Sequence, residues 1–171
     1  MQGCSVVVHL ASPFIAQVPK GNVQEVLLDP AIKGALNVLE SANDSVLESS
    51  VTRVVLTSSI AAIATDGTDY EEALERTGKI MCHEETWNET ASADYSPYAL
   101  SKPLAKKAVW DFVKANGCSD ELAGICNPSF VLGPGAKVHE SSESYNYVKK
   151  WEAAHTRPFR TLTWRSSMFA T

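Results

Sequence analysis

The stretch Thr52-Arg-Val-Val-Leu-Thr-Ser-Ser59 is a short run of β-branched and apolar residues that stops in hydroxyl side chains. Continuous runs of this length are typical of strands buried on both faces, as in parallel sheets. Two other runs have the same character: Ser5–Ala11, followed by Ser12-Pro13, and Leu122–Cys126, followed by Asn127-Pro128. We therefore predict three buried strands whose carboxyl ends carry small or polar residues.

Helical patterns separate the three runs. Residues 29–42 have apolar side chains at helical spacing, with Asp29 as the predicted N-cap and Pro30 as the first helical residue. A second helix is predicted to start at Ser96-Pro97 and to end at Asn116-Gly117. Alternating strands and helices predict an α/β fold with a parallel sheet, and such sheets bind ligands at the carboxyl ends of their strands.

The composition of the chain limits the kinds of partner and site that we expect. The chain has 171 residues, of which 44% are apolar, and a formal net charge of −5, which excludes a nucleic-acid groove or an anionic membrane as its main partner. No run approaches the ~20 apolar residues of a membrane span, and no signal peptide is evident. The four cysteines form no C-x-x-C pair and suggest free thiols rather than a metal site. We expect a cytoplasmic protein.

Tyr98 and Lys102 lie four residues apart near the start of the second helix, so they share one helix face. A tyrosine that transfers protons near neutral pH needs a pKa below its usual value of about 10. A nearby ammonium and a helix N-terminus both favour the phenolate. Because Tyr145 and Lys149 repeat this spacing without a strand after them, the spacing alone is a weak signal. The strand that ends in Ser59 adds a hydroxyl that could hold a carbonyl oxygen while Tyr98 protonates it.

Structural interpretations compete with this chemistry. A tyrosine beside a lysine is common on exposed helix faces, and Ser58 and Ser59 could simply cap the end of their strand. A long polar passage, residues 65–94, has little periodicity, and loops of this length are usually functional or disordered.

Six stretches taken together resemble the extended short-chain dehydrogenase/reductase family, with the NAD-dependent epimerase/dehydratase fold. The narrower resemblance is to its dihydroflavonol reductase, cinnamoyl-CoA reductase and methylglyoxal reductase group. The stretches are V-V-V-H-L-A-S-P-F (6–14), D-P-A-I-K-G-A-L-N-V-L-E-S-A (29–42), R-V-V-L-T-S-S-I-A-A-I (53–63), E-E-T-W-N (84–88), Y-A-L-S-K (98–102) and N-P-S-F-V-L-G-P (127–134). Their order and approximate spacing agree over residues 4–135.

The resemblance implies a fold, a cofactor and roles. Residues 1–135 would form a partial Rossmann-type doubly wound parallel sheet. Residues 136–171 contain none of these stretches, and their sequence predicts a divergent, partly ordered tail or a weakly packed helix around residues 145–154. Ser59 would orient the substrate carbonyl, Tyr98 would donate the proton, and Lys102 would lower the pKa of Tyr98 and bind the nicotinamide ribose. Further contacts to the cofactor, NADP or NAD, would come from the strand ends, at Ala11, Ser12, Thr57, Pro128 and Ser129. The substrate would be a small carbonyl compound or alcohol.

The chain departs from the family in its phosphate-binding part. The family begins with a strand and a glycine-rich turn whose helix N-terminus holds the pyrophosphate, and no such set of glycines occurs here. The Gly133-Pro134-Gly135 stretch is interpreted as a turn. A sheet lacking its first β-α units would expose a strand edge and an apolar face. We therefore expect weak NADP(H) binding and slow turnover.

Two other functions remain open at this stage. A nucleotide-sugar epimerase or dehydratase shares the Ser, Tyr and Lys set on the same fold. A non-catalytic binding protein could retain the same domain for interaction. The E-E-T-W-N stretch and the Ala11-Ser12-Pro13 strand end favour the reductase group. The particular substrate and the oligomeric state do not follow from the sequence.

Overall fold

Three parallel strands form the sheet. The computed structural model describes residues 1, 3–15, 18, 21–44, 49–65, 71, 74, 75, 78, 83, 85–119, 121–133 and 142–154. Strands β1 (Val6–His9), β2 (Arg53–Thr57) and β3 (Ala123–Cys126) pair in the order β1-β2-β3. The predicted α/β fold with a parallel sheet is confirmed.

The register brings the three carboxyl ends to one edge of the sheet. His9 of β1 pairs with Leu56 of β2, and Thr57 at the end of β2 pairs with Cys126 at the end of β3. Beyond this edge the backbone N–H of Ser58 donates to the carbonyl of Cys126 at 2.8 Å, so β2 and β3 stay together past their last paired residues. The predicted site residues that end or follow the strands therefore lie at one edge of the sheet.

The helices lie close to the positions that their start and stop signals predict. Helix α1 spans Asp29–Asn43, α2 spans Pro97–Ala115 and α3 spans Glu143–Ala154. Helix α2 ends at Asn116, and Gly117 follows with a φ of 58°, a left-handed conformation that glycine adopts without steric cost.

The predicted N-cap role of Asp29 is wrong. A single π-helical turn, Gln24–Leu28, runs directly into α1, so Asp29 already has helical backbone angles. Its carboxylate instead accepts a hydrogen bond from Lys33 at 2.7 Å, one turn further along. The helical stretch thus begins before the Asp-Pro signal, because Leu27 and Leu28 extend the buried face of α1.

Both long helices of the first part of the chain pack on the same face of the sheet. The core cluster joins α1, β2, α2 and β3 and consists of Ala35, Leu39, Ala42, Val51, Val54, Leu56, Val109, Val113 and Ala123. The opposite face of β1 is open: Val6 and Val8 are 51% and 58% exposed. The expectation that the β1 run is buried on both faces is therefore wrong, whereas the expected exposed apolar face is present.

The chain divides into two compact units, Met1–Ser129 and Phe130–Thr171. Within the second unit, the rings of Phe130 and Tyr147 stack with their centroids 4.8 Å apart. Residues 134–141 and 155–171 of the predicted tail lie outside the described residues, as does Cys82. Cys4, Cys118 and Cys126 are free thiols, as predicted. Within the described ranges, no helix combines the length and apolar character needed to cross a membrane.

Because the core lies on one face of the sheet, we can predict how substitutions on the two faces affect stability. Val54 is 3% exposed beneath the helices and Val8 is 58% exposed on the open face. We expect Val54→Ala to lower the free energy of unfolding by about 2 kcal/mol through lost burial and a residual cavity. Val8→Ala is the matched control and should cost less than about 0.5 kcal/mol. Urea unfolding checks both, and equal losses would contradict a core on one face only.

Candidate active site

Ser59 is held at the end of β2 by a short helical turn and by β3. Its Oγ accepts a hydrogen bond from the backbone N–H of Ala61 at 3.2 Å, which caps the 3-10 turn Ile60–Ala62. The N–H of Ile60 donates to the carbonyl of Pro128 at 2.9 Å. The structural interpretation of Ser59 as a cap is thus correct, and the capping contact also orients its hydroxyl.

Helix α2 begins at a strained residue. Ser96 has φ 58° and ψ 62°, a left-handed conformation that costs a non-glycine residue on the order of 1 kcal/mol. Its side chain makes no capping hydrogen bond, although its position as N-cap matches the prediction. One turn later the buried Ser101 hydroxyl donates to the carbonyl of Tyr98 at 2.7 Å. These contacts fix the backbone of the first helical turn, which carries Tyr98.

Tyr98 meets side chains from two other elements. It shares a hydrogen bond with the side chain of Ser59, and Phe14, which follows β1, contacts its ring edge-on at a centroid distance of 4.6 Å. Burial raises the pKa of Tyr98, and the Ser59 hydrogen bond opposes this rise only in part. The direction is opposite to the lowering expected from the lysine and the helix N-terminus. Tyr98 is therefore a neutral phenol at neutral pH.

Lys102 lies beside Tyr98 and is almost completely buried, at 5% exposure. Its Nζ donates to Ser12 Oγ at 2.8 Å and lies 4.8 Å from the centroid of the Tyr98 ring, close enough for a cation–π contact. Burial lowers the pKa of Lys102 from 10.5 to about 8. Burial and the Lys102 cation also lower the pKa of His9 on β1.

The structure brings the predicted catalytic residues together and spreads the predicted cofactor residues along the same edge. Ser59, Tyr98, Lys102 and Ser12 are joined by the contacts above. Thr57 ends β2, and Ala11, Pro128 and Ser129 follow strands β1 and β3. The second pair with the same spacing, Tyr145 and Lys149, lies on exposed positions of α3 in the other unit.

Two buried polar atoms at this edge have no hydrogen-bond partner among the described residues. They are Ser58 Oγ, directly after β2, and Asn127 Oδ1, directly after β3. A buried polar atom without a partner is costly and often marks a functional site. In the part of the chain that the structure describes, no cluster of His, Cys, Asp or Glu could hold a metal ion.

The sequence reasoning assigned no role to two residues that shape this site. Phe14 closes over the Tyr98 ring, and the buried Asn88 ties the turn after Ser59 to the segment before α2. Both residues fall in stretches that carry the family resemblance. No local pattern reveals the contact of Phe14 with Tyr98 or the bonds that the Asn88 amide donates, because these partners lie more than 20 residues away in the chain.

The sequence profile of the 3-beta hydroxysteroid dehydrogenase/isomerase family matches residues 1–158. The chain belongs to this family. The membership is consistent with the expected place in the extended short-chain dehydrogenase/reductase group, which is confirmed. The match continues past Gly135, where the recognisable motifs of the sequence end.

Relatives of this family member include plant and yeast reductases. A cinnamoyl-CoA reductase of Medicago truncatula is 38% identical over 96% of this chain and 47% of its own length. An NADPH-dependent methylglyoxal reductase of Saccharomyces cerevisiae is 36% identical over 75% of this chain and 37% of its own. The chain spans less than half the length of these relatives.

Solved structures show the same fold. The crystal structure of Candida albicans Gre2 in complex with NADPH is 30% identical and has a TM-score of 0.64. It covers 85% of this chain, and the match extends over 43% of that protein. The parallel α/β sheet predicted from the strand and helix order, and the Rossmann-like architecture that the family resemblance implies, are therefore confirmed.

The buried lysine makes a prediction about stability and pH. The folded state holds Lys102 at a pKa of about 8, below the 10.5 of an exposed lysine, so its charged form destabilises the fold at neutral pH. That cost fades as the pH rises from about 8 to 10.5. We expect Lys102→Met to raise the free energy of unfolding at neutral pH by at most about 3 kcal/mol. The gain over wild type should vanish near pH 10.5.

The control is Lys107→Met, because Lys107 lies on the same helix with a side chain that is 64% exposed. It should change stability little at any pH. Denaturant unfolding of the three proteins across this pH range checks the prediction. A Lys102→Met variant that is less stable than wild type at neutral pH would contradict it.

Proposed function

We propose that this chain carries the catalytic residues of an NADPH-dependent reductase that acts on the C=O group of a small aldehyde or ketone. The observation that carries the proposal is the hydrogen bond between Ser59 and Tyr98, next to the Lys102–Ser12 contact. A neutral phenol, a second hydroxyl and a lysine ammonium lie together at the carboxyl edge of the sheet, and this grouping supports the proposal. The NADPH-dependent relatives support the choice of reaction and cofactor.

The proton donor is Tyr98. Its raised pKa keeps the phenol protonated at neutral pH, which is the form that a carbonyl reduction requires. A substrate carbonyl oxygen that accepts hydrogen bonds from Ser59 and Tyr98 would take the Tyr98 proton as negative charge develops on it. Tyr98 is then left as a phenolate, which the nearby Lys102 cation stabilises until solvent returns a proton.

The described residues fit the nicotinamide riboside end of the cofactor. Ser12 Oγ and Lys102 Nζ, 2.8 Å apart, are a donor–acceptor pair suited to the hydroxyls of a ribose. Thr57, Ala11, Pro128 and Ser129 would border the same region from the strand ends. Bound NADPH would supply the hydride that the carbonyl carbon receives. The family's glycine-rich phosphate turn has no counterpart in this sequence.

We expect Tyr98→Phe to reduce the rate of carbonyl reduction about 100-fold or more, because the proton donor is lost while the ring packing on Phe14 is kept. The measurement is oxidation of NADPH by the purified chain with methylglyoxal as the first substrate, followed by larger aldehydes and ketones. Tyr145→Phe is the matched control, since it removes the same atom from the other Y-x-x-x-K pair. It should leave the rate unchanged.

The same assay separates the alternatives. Equal rates in wild type and Tyr98→Phe would contradict the catalytic assignment and would favour a non-catalytic binding protein. A UDP-sugar that competes with NADPH-dependent reduction, or is itself converted, would favour an epimerase or dehydratase. A cytoplasmic location and the identity of the carbonyl substrate remain predictions.

A further inference from the structure

Asn88 is a buried loop asparagine, 7% exposed, whose side chain is fully used in hydrogen bonds. Its Nδ2 donates to the carbonyl of Ala61 at 2.7 Å and to Thr65 Oγ1 at 2.6 Å. Its Oδ1 accepts from the backbone N–H groups of Thr90 and Ala91 at 3.2 and 3.1 Å. An amide is the only neutral side chain of this size that offers two donors and an acceptor with two lone pairs.

These bonds connect two segments that border the candidate active site. Residues 61–65 begin two positions after Ser59, and the N–H of Ala61 is the one that Ser59 Oγ caps. Residues 86–91 precede helix α2, which carries Tyr98. The backbone N–H of Asn88 adds a further bond, to the carbonyl of Ala62 at 3.2 Å. Asn88 therefore joins the segment after Ser59 to the segment before α2.

The second segment is in turn attached to α2 by its neighbour. Trp87 lies under the ammonium of Lys106, with Nζ 4.1 Å from the ring. Lys106 is a buried residue of α2, two turns after the start of the helix. Cation–π contacts are strongest where the cation is removed from water. The path from Ser59 through Asn88 and Trp87 thus ends on the same helix as Tyr98.

We propose that Asn88 is a positioning residue that holds Ser59 within hydrogen-bonding distance of Tyr98. The Ser59 hydroxyl reaches Tyr98 only if the turn Ile60–Ala62 keeps its distance from the start of α2. The bonds of Asn88 hold the segment 61–65 against the segment 86–91, which leads into α2, and in this way they would maintain that distance. The importance of this distance for turnover rests on the proposed reductase function, whereas the positioning itself does not.

The test reads the environment of Tyr98 directly. The Ser59 hydrogen bond lowers the pKa of Tyr98 relative to burial alone. We expect Asn88→Ala to raise that pKa further, measured by NMR titration of the chain labelled with ¹³C on tyrosine rings. Tyr98→Phe assigns the signal. Ser59→Ala should raise the pKa by a similar amount, and the double variant should show no additional rise, because both changes remove the same interaction.

A second variant separates positioning from loss of folding. Asn88→Asp keeps the acceptor for Thr90 and Ala91 but removes the donors to Ala61 and Thr65. It should raise the Tyr98 pKa as Asn88→Ala does. Asn37→Ala, at an exposed position of α1, is the control and should leave the titration unchanged. Thermal unfolding of each variant identifies those that are folded.

Turnover gives the second readout. In a folded Asn88 variant, kcat should fall by about 10- to 100-fold with a smaller change in KM, as expected when reacting groups are misplaced. An unchanged Tyr98 pKa in folded Asn88 variants, or a rise that adds to that of Ser59→Ala, would overturn the positioning role. If Tyr98→Phe retains full activity, the reductase proposal fails, and the titration still decides the role of Asn88.

Discussion

The hydrogen bond between Ser59 and Tyr98 is the contact on which the candidate site depends. It joins the end of strand β2 to the first turn of helix α2, two elements that are separated by a long segment of chain. The bond exists because α2 packs on the face of β2 that carries Val54 and Leu56, and because β3 holds the turn after Ser59 through Pro128. The packing of these elements thus brings together the two hydroxyl groups to which we assign the chemistry.

Burial acts on both members of the Tyr98–Lys102 pair in the direction of the neutral form. It raises the pKa of the Tyr98 phenol above its usual value and lowers the pKa of the Lys102 ammonium from 10.5 to about 8. The usual order of the two pKa values is thereby reversed, and the lysine loses its proton at a lower pH than the tyrosine. At neutral pH a neutral tyrosine then stands beside a lysine that is still mostly cationic. This combination suits a proton donor whose conjugate base needs a positive neighbour, and it explains why Lys102 is tolerated at a cost to stability.

The sequence predicts the strands and the start of α2, because each depends on residues near one another in the chain. The set of Ser59, Tyr98 and Lys102 is predicted by the family resemblance, because Ser59 lies far from the other two in the sequence. Local sequence patterns fail where distant elements decide. Asp29 is a sound cap by local rules, but buried Leu27 and Leu28 extend the helix past it. The apolar run of β1 is typical of a strand covered on both faces, yet a single layer of helices covers it among the described residues. Asn88 shows both cases: its carbonyl oxygen accepts from N–H groups two and three residues away, whereas its amide donates across a loop to Ala61 and Thr65.

The residues on the open face of the sheet do not take part in the candidate site. Val6 and Val8 point away from the helices, whereas Ser12, Ser59, Tyr98 and Lys102 are organised by the helix-covered face and by the carboxyl edge. The unit Met1–Ser129 holds that face with its own core. The four side chains are therefore arranged within one unit. Under the proposed function, cofactor affinity and proton transfer would depend on different groups of residues. Affinity would set the amount of bound cofactor, and the Ser59–Tyr98 contact would set the rate of proton transfer once the cofactor is bound.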